Sequence, residues 1–194
     1  MFYLQRIHRY DGRMPYPNVI VLQNEISREF PSFRVRKKSE STLMRLIAWV
    51  LLVLTFGKNK DFMTRFITTI GTTVYVPDDR DARSPVGQCL ILRHERVHMR
   101  QAAKYGSLLF SFLYLFWPIP IYRAVYRRKF EQEAYEESLR AMLEYGEDPS
   151  NFVVRMRMVM HFTTSEYFWM WTNEKDIEEW FDRTVTKVMN EKKN

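Results

Sequence analysis

The chain has 194 residues, with 30 Lys plus Arg against 23 Asp plus Glu, a formal net charge of +7, 46% apolar and 15% aromatic residues, four His and one Cys. That length fits one domain or at most two small ones, and the apolar content excludes a disordered tail or linker. The lone Cys89 excludes a disulfide framework and a cysteine-based zinc finger, so a metal site would have to draw on His and carboxylates. The charge suits phosphates, nucleic acid or anionic lipid, but it speaks to nonspecific attraction and not to fold.

Residues 1–16 read as irregular, and Met1 to Arg13 holds no apolar core of signal-peptide length, so the expected location is the cytoplasm, free or membrane-associated. Asn18 to Phe30 predicts a first helix, ended by Pro31, and Arg34 to Lys38 predicts a solvated basic connection. Ser39 or Ser41 would cap a second helix running to about Phe56. Its twelve uncharged residues, Leu46 to Gly57, are too few to cross a hydrocarbon core of about 30 Å and predict a buried helix. Phe66 to Val76, rich in Thr, Val, Ile and Tyr, is the best strand candidate, bounded by Pro77-Asp78-Asp79.

Ser84 as N-cap, Pro85 at the first helical position and Gly106 as a stop predict one helix over 85–105. In the apolar run Gly106 to Tyr122, Pro118 and Pro120 end any helix near Trp117, which leaves a buried or interfacial helix, or a segment in contact with a membrane surface. Tyr122 to Tyr145 predicts another helix, stopped by Gly146 and Pro149, and Asn151 to Lys192 predicts one or two more around the aromatic cluster 167–171. The expected fold is α+β, mostly α, with a small sheet. It forms one domain over 1–194, with an N-terminal helical part (1–65), a core (66–145) and a C-terminal helical part (146–194).

Inside the 85–105 helix stands His94-Glu95-Arg96-Val97-His98, an H-E-x-x-H pattern. Two His four residues apart lie about 40° apart around a helix and can bind one ion, with the intervening Glu beside the place where an activated water would sit. Leu90, His94, His98, Gln101 and Ala102 share one arc of the wheel, and Arg93, Arg96, Arg100 and Lys104 share the opposite one. Two imidazoles on an apolar face need a partner, and a cation would supply it. On the next long helix Glu131 faces the side of Phe130, Ala134 and Ser138, whereas Glu133 faces water. Glu131 is therefore the third-ligand candidate and Glu133 the runner-up, and an ion pair of Glu131 with Arg123 or Arg155 is the structural alternative.

In these residues the chain resembles the gluzincin branch of the zincin metallopeptidases, in which an H-E-x-x-H helix is followed by a glutamate in an E-x-x-A context. The matching residues are His94, Glu95 and His98, then Glu131 with Ala134, and the resemblance covers about 94–135. It implies a zincin-like catalytic domain, a zinc cofactor on His94, His98 and Glu131, Glu95 as general base, and a peptide or protein as substrate. Many members follow the Ala with an Asp that braces a ligand His. Tyr135 stands there instead, so that brace would come from elsewhere.

The strand at Gly71 to Val76 could offer an edge to an extended peptide. His161 and Tyr167 could donate to an oxyanion, although aromatic-rich stretches are more often core. Asp78, Asp79 and Asp81 could hold a second ion, but a turn before a capped helix accounts for them. Two other readings share these residues. One is hydrolysis of a non-peptide amide. The other is a non-catalytic zincin-like binding protein that docks on an anionic membrane or nucleic acid through Arg34 to Lys38 and Arg123 to Lys129. Nucleic acid is disfavoured because those patches lack interleaved aromatics apart from Tyr126.

Overall fold

Asn18 caps the first helix, α1 (Val19–Glu29), its side chain accepting hydrogen bonds from the backbone N–H groups of Ile20 and Val21. The computed structural model describes residues 17–57, 60–115, 125–164 and 172–193, in which seven helices and a three-stranded sheet follow one another. The N-terminal stretch, Pro118, Pro120, Arg123 and the aromatic cluster with Tyr167 lie outside the described residues.

The basic stretch expected to be a solvated connection is instead strand β1 (Arg34–Lys37), followed by a single 3-10 turn at 38–40. Val35 faces the core while Arg34, Arg36 and Lys37 are exposed, so one inward apolar side chain and parallel pairing suffice to make a strand of a basic segment. The next helix, α2 (Thr42–Leu54), begins at Ser41, whose hydroxyl accepts from Met44 N–H. It was expected to be buried and is not: Met44 is its buried side chain, and Leu46, Trp49 and Val53 are exposed.

The predicted strand is a hairpin, β2 (Thr68–Ile70) and β3 (Thr73–Val76), turning at Gly71, whose φ of 59° favours glycine. The order is β1-β3-β2, with β1 parallel to β3 and β2 antiparallel to it. β3 is therefore the central strand, and the edge expected of Gly71 to Val76 belongs to its neighbours.

Helix α3 (Pro85–Tyr105) has the predicted bounds, from the Ser84 cap to Gly106 at φ 81°. Val74 and Val76 of β3, Leu22 and Ile26 of α1, and Cys89, Leu92 and Met99 of α3 form one core. Each such side chain contributes about 1.5–3 kcal/mol on burial. A short α4 (Ser107–Leu115) and a long α5 (Val125–Glu144) pack on the other side of α3 through Ala102, Phe110 and Phe130. Helices α6 (Phe152–Thr163) and α7 (Glu174–Lys193) close on α5 through Leu139, Met158, Phe181 and Val185.

The arginine arc of α3 does not simply face water. Arg93 is wedged between Glu137 and Glu144 of α5, and Arg96 and Arg100 both grip Glu29 at the end of α1. The Arg100 hydrogen bond, with those of Arg96, outweighs partial burial and holds the Glu29 carboxyl below its ordinary value of 4.5. Its contribution to stability is thus present above pH 4.5 and is lost as the pH falls through the lowered value. Glu29→Gln should cost about 1 kcal/mol at neutral pH. Urea melts of variant and parent should converge in acid.

Candidate metal centre

The α3 and α5 faces meet so that His94, His98 and Glu131 bring one ligand atom each within 4.8 Å of one another. The two Nε2 atoms are 3.2 Å apart, His94 Nε2 lies 3.4 Å from Glu131 Oε2, and His98 Nε2 lies 3.5 Å from Glu131 Oε1. Ligands each about 2.0–2.1 Å from one tetrahedral ion are themselves about 3.3–3.4 Å apart. Glu131 is 1% exposed, and the polar neighbour of its Oε2 is His94 Nε2 at 3.4 Å. A buried carboxylate whose two oxygens each meet one imidazole Nε2 completes a donor set that fits a divalent ion. Arg155, an alternative partner for Glu131, pairs instead with Glu178 and Asp182 on α7.

The imidazoles are held in one tautomer by their outer nitrogens. Gln101 Nε2 donates to Phe130 O at 3.1 Å and to Glu133 Oε2 at 2.8 Å, which fixes its Oε1 as the acceptor of His98 Nδ1–H at 2.9 Å. Ser138 Oγ donates to Ala134 O at 3.1 Å, leaving a lone pair for His94 Nδ1–H at 3.3 Å. In their neutral form both rings therefore carry hydrogen on Nδ1 and turn the Nε2 lone pair inward, the form a metal requires. Gln101 and Ser138 occupy the bracing role that Tyr135 cannot fill. Tyr135 instead packs edge-on against the His94 ring and stacks on His161. Glu133 meets the site only through Gln101 and is exposed.

Tyr114 O–H donates to Glu131 Oε1 at 2.5 Å, and Arg127 fixes Tyr114 in turn, through its carbonyl at 2.9 Å and over its ring. Burial alone would raise the Glu131 carboxyl, but the charge of His98, the hydrogen bond and charge of His94 and the Tyr114 hydroxyl overcome it and hold the pKa at about 2. Burial disfavours the charged His94 ring, yet the Glu131 hydrogen bond and charge, with Glu95, raise it above 6.5.

Without metal, the His94 contribution to stability is present below pH 6.5 and lost as the pH rises through its raised pKa. The Glu131 contribution is present above pH 4.5 and lost as the pH falls towards about 2. A metal ion held by this cluster would have to displace the proton on His94, so its binding near neutral pH should release protons, and fewer as the pH rises. Calorimetric titration in buffers of different ionisation enthalpy checks this. Binding without proton release would contradict it.

Glu95 lies beside these groups, 7% exposed, and its Oε2 accepts from Thr69 Oγ1 of β2 at 2.6 Å. Behind it is a residue the sequence placed in solvent. Lys38 is fully buried, its Nζ donating to Phe62 O at 2.7 Å and lying 3.6 Å from the centre of the Phe62 ring. Burial lowers its pKa to about 8, and the Glu95 charge opposes that fall.

The reading of the sequence missed Thr69, Gln101, Ser138, Tyr114 and Lys38 as members of this surround. Gln101 is three residues beyond His98 and Ser138 seven beyond Glu131, helical spacings that carry a usable signal. Thr69, Tyr114 and Lys38 arrive from other elements and carry none. Of the carboxylates proposed for a second ion, Asp78 accepts from Ser39 Oγ at 2.7 Å, in keeping with a turn. Among the described residues, His94, His98 and Glu131 are the cluster with metal-ligand spacing. Comparison with protein-family models, with curated proteins and with solved structures returned no match. The site alone thus defines the class: a mostly helical α+β protein with a His/His/Glu triad capable of holding a metal on its central helix.

Proposed function

We propose that the chain is a zinc-dependent metallopeptidase of gluzincin type, with His94, His98 and Glu131 as zinc ligands and Glu95 as general base. The observation that carries this reading is the buried Glu131 carboxylate, whose Oε2 and Oε1 lie 3.4 and 3.5 Å from the Nε2 atoms of His94 and His98, with both rings braced from behind. Two imidazoles and one carboxylate are a zinc donor set with room for a water or substrate oxygen. Zinc held there supplies Lewis acidity, which acidifies a water and polarises the scissile carbonyl.

The protein's own groups do the rest. Glu95 takes the proton of the attacking water and returns it to the leaving amine nitrogen. Thr69, donating to Glu95 Oε2, fixes one carboxylate oxygen and leaves Oε1 for that transfer. Among the described residues β2, the strand that carries Thr69, is an edge strand beside β3, so an extended peptide can pair along its other side. The binding-protein reading is weakened because two residues of its basic patches, Lys38 and Arg127, are buried and committed to Phe62 and Tyr114.

The test is cleavage of a peptide library by the purified chain, before chelation, after chelation and after zinc is restored. The account expects cleavage, its loss and its return. Zinc binding with no cleavage of any peptide would reject the peptidase.

A further inference from the structure

We propose that α2 lays its apolar face into an anionic lipid bilayer and holds the protein at a membrane surface. This stands apart from the peptidase reading and uses none of its residues. Leu43, Leu46, Trp49, Val50, Val53 and, just beyond the helix, Phe56 recur at spacings of three and four, and so form one stripe. All are exposed, Trp49 by 62% and Phe56 by 95%. Leaving such a continuous stripe in water is costly, and single-residue exposure does not explain it. At 13 residues the helix is about 20 Å long, too short to span a bilayer and suited to lying in its interface with a Trp at headgroup depth. Among the described residues no helix is long and apolar enough to cross a membrane.

Charge decides the occupant. Residues 34–65 contain eight Lys or Arg against two Asp or Glu, so six of the seven net positive charges fall in the segment that contains α2. Lys38 is buried, Arg65 pairs with Asp61 and Lys58 lies outside the described residues, which leaves Arg34, Arg36, Lys37, Arg45 and Lys60 exposed near the stripe in sequence. Facing a second copy through α2 would bring two such basic sets together, whereas an anionic leaflet neutralises them. The 106–122 segment is the weaker candidate. Of its described part, α4 exposes Leu108 and Leu109 but turns Phe110 inward.

The test is sedimentation of the full chain with vesicles of phosphatidylcholine alone or with about 30% phosphatidylserine. The account expects binding at least about tenfold tighter to the anionic vesicles, weakened by salt. It also expects quenching by brominated acyl chains that Trp49→Phe reduces while binding persists. The double variant Trp49→Ser, Val53→Ser should lose binding and keep its helical circular dichroism, because both side chains are exposed. Absence of binding, equal binding to both vesicles, or a lipid-free dimer that the double variant dissolves would overturn the proposal.

Discussion

Glu131→Ala should lose zinc affinity by more than roughly 100-fold, since even outer-shell partners of a metal site cost about 10–100-fold when replaced. The carboxylate is 1% exposed and faces both imidazoles, so its removal takes away the anionic member of the cluster. Truncation also removes the acceptor of the Tyr114 O–H···Oε1 bond, which should cost some stability beside the metal affinity. Glu131→Gln separates the two effects. Its amide oxygen can still accept from Tyr114, so the fold is kept, while the anionic ligand is gone and zinc is still lost. Glu133→Ala should weaken zinc only moderately, by freeing Gln101 and with it the His98 tautomer. Competition with a chromophoric chelator measures all three variants. Greater loss in Glu133→Ala than in Glu131→Ala would mean the ligands were assigned wrongly.

Glu95→Gln should bind zinc as the parent does and lose about 10²–10⁴-fold in kcat, the usual contribution of a positioned general base. The substitution conserves volume and retains an oxygen for the Thr69 hydroxyl at 2.6 Å, so the loss should fall on kcat and leave KM nearly unchanged. It also removes the charge that supports the Lys38 ammonium, so the Lys38 pKa should fall below about 8. Retained activity in Glu95→Gln would remove Glu95 from the chemistry.

The meeting of His94, His98 and Glu131 is legible in the sequence because helical periodicity encodes it. His94, His98 and Glu131 each stand on a long helix whose inward arc can be drawn from residue types alone, and the caps at Ser84 and Gly106 bound α3. The surround was not legible, because it is built across elements. Nothing local says that Thr69 on an edge strand meets Glu95, or that Tyr114 on α4 meets Glu131. Lys38 was misjudged for the same reason. A lysine in a run of basic residues belongs in water by default, and only the carbonyl of Phe62, its ring and the Glu95 charge make burial tolerable. The reverse error was α2, where apolar composition was taken for burial although an apolar helix can equally face a lipid surface.

The central claim is that one zinc ion sits between α3 and α5 on two imidazoles and a carboxylate. X-ray absorption at the zinc edge of the stoichiometrically loaded protein tests it most directly. The account predicts two imidazole nitrogens with low-Z oxygen ligands and no sulfur, and loss of the oxygen-ligated spectrum in Glu131→Gln. A sulfur shell, a single imidazole, or a spectrum unchanged in Glu131→Gln would contradict it.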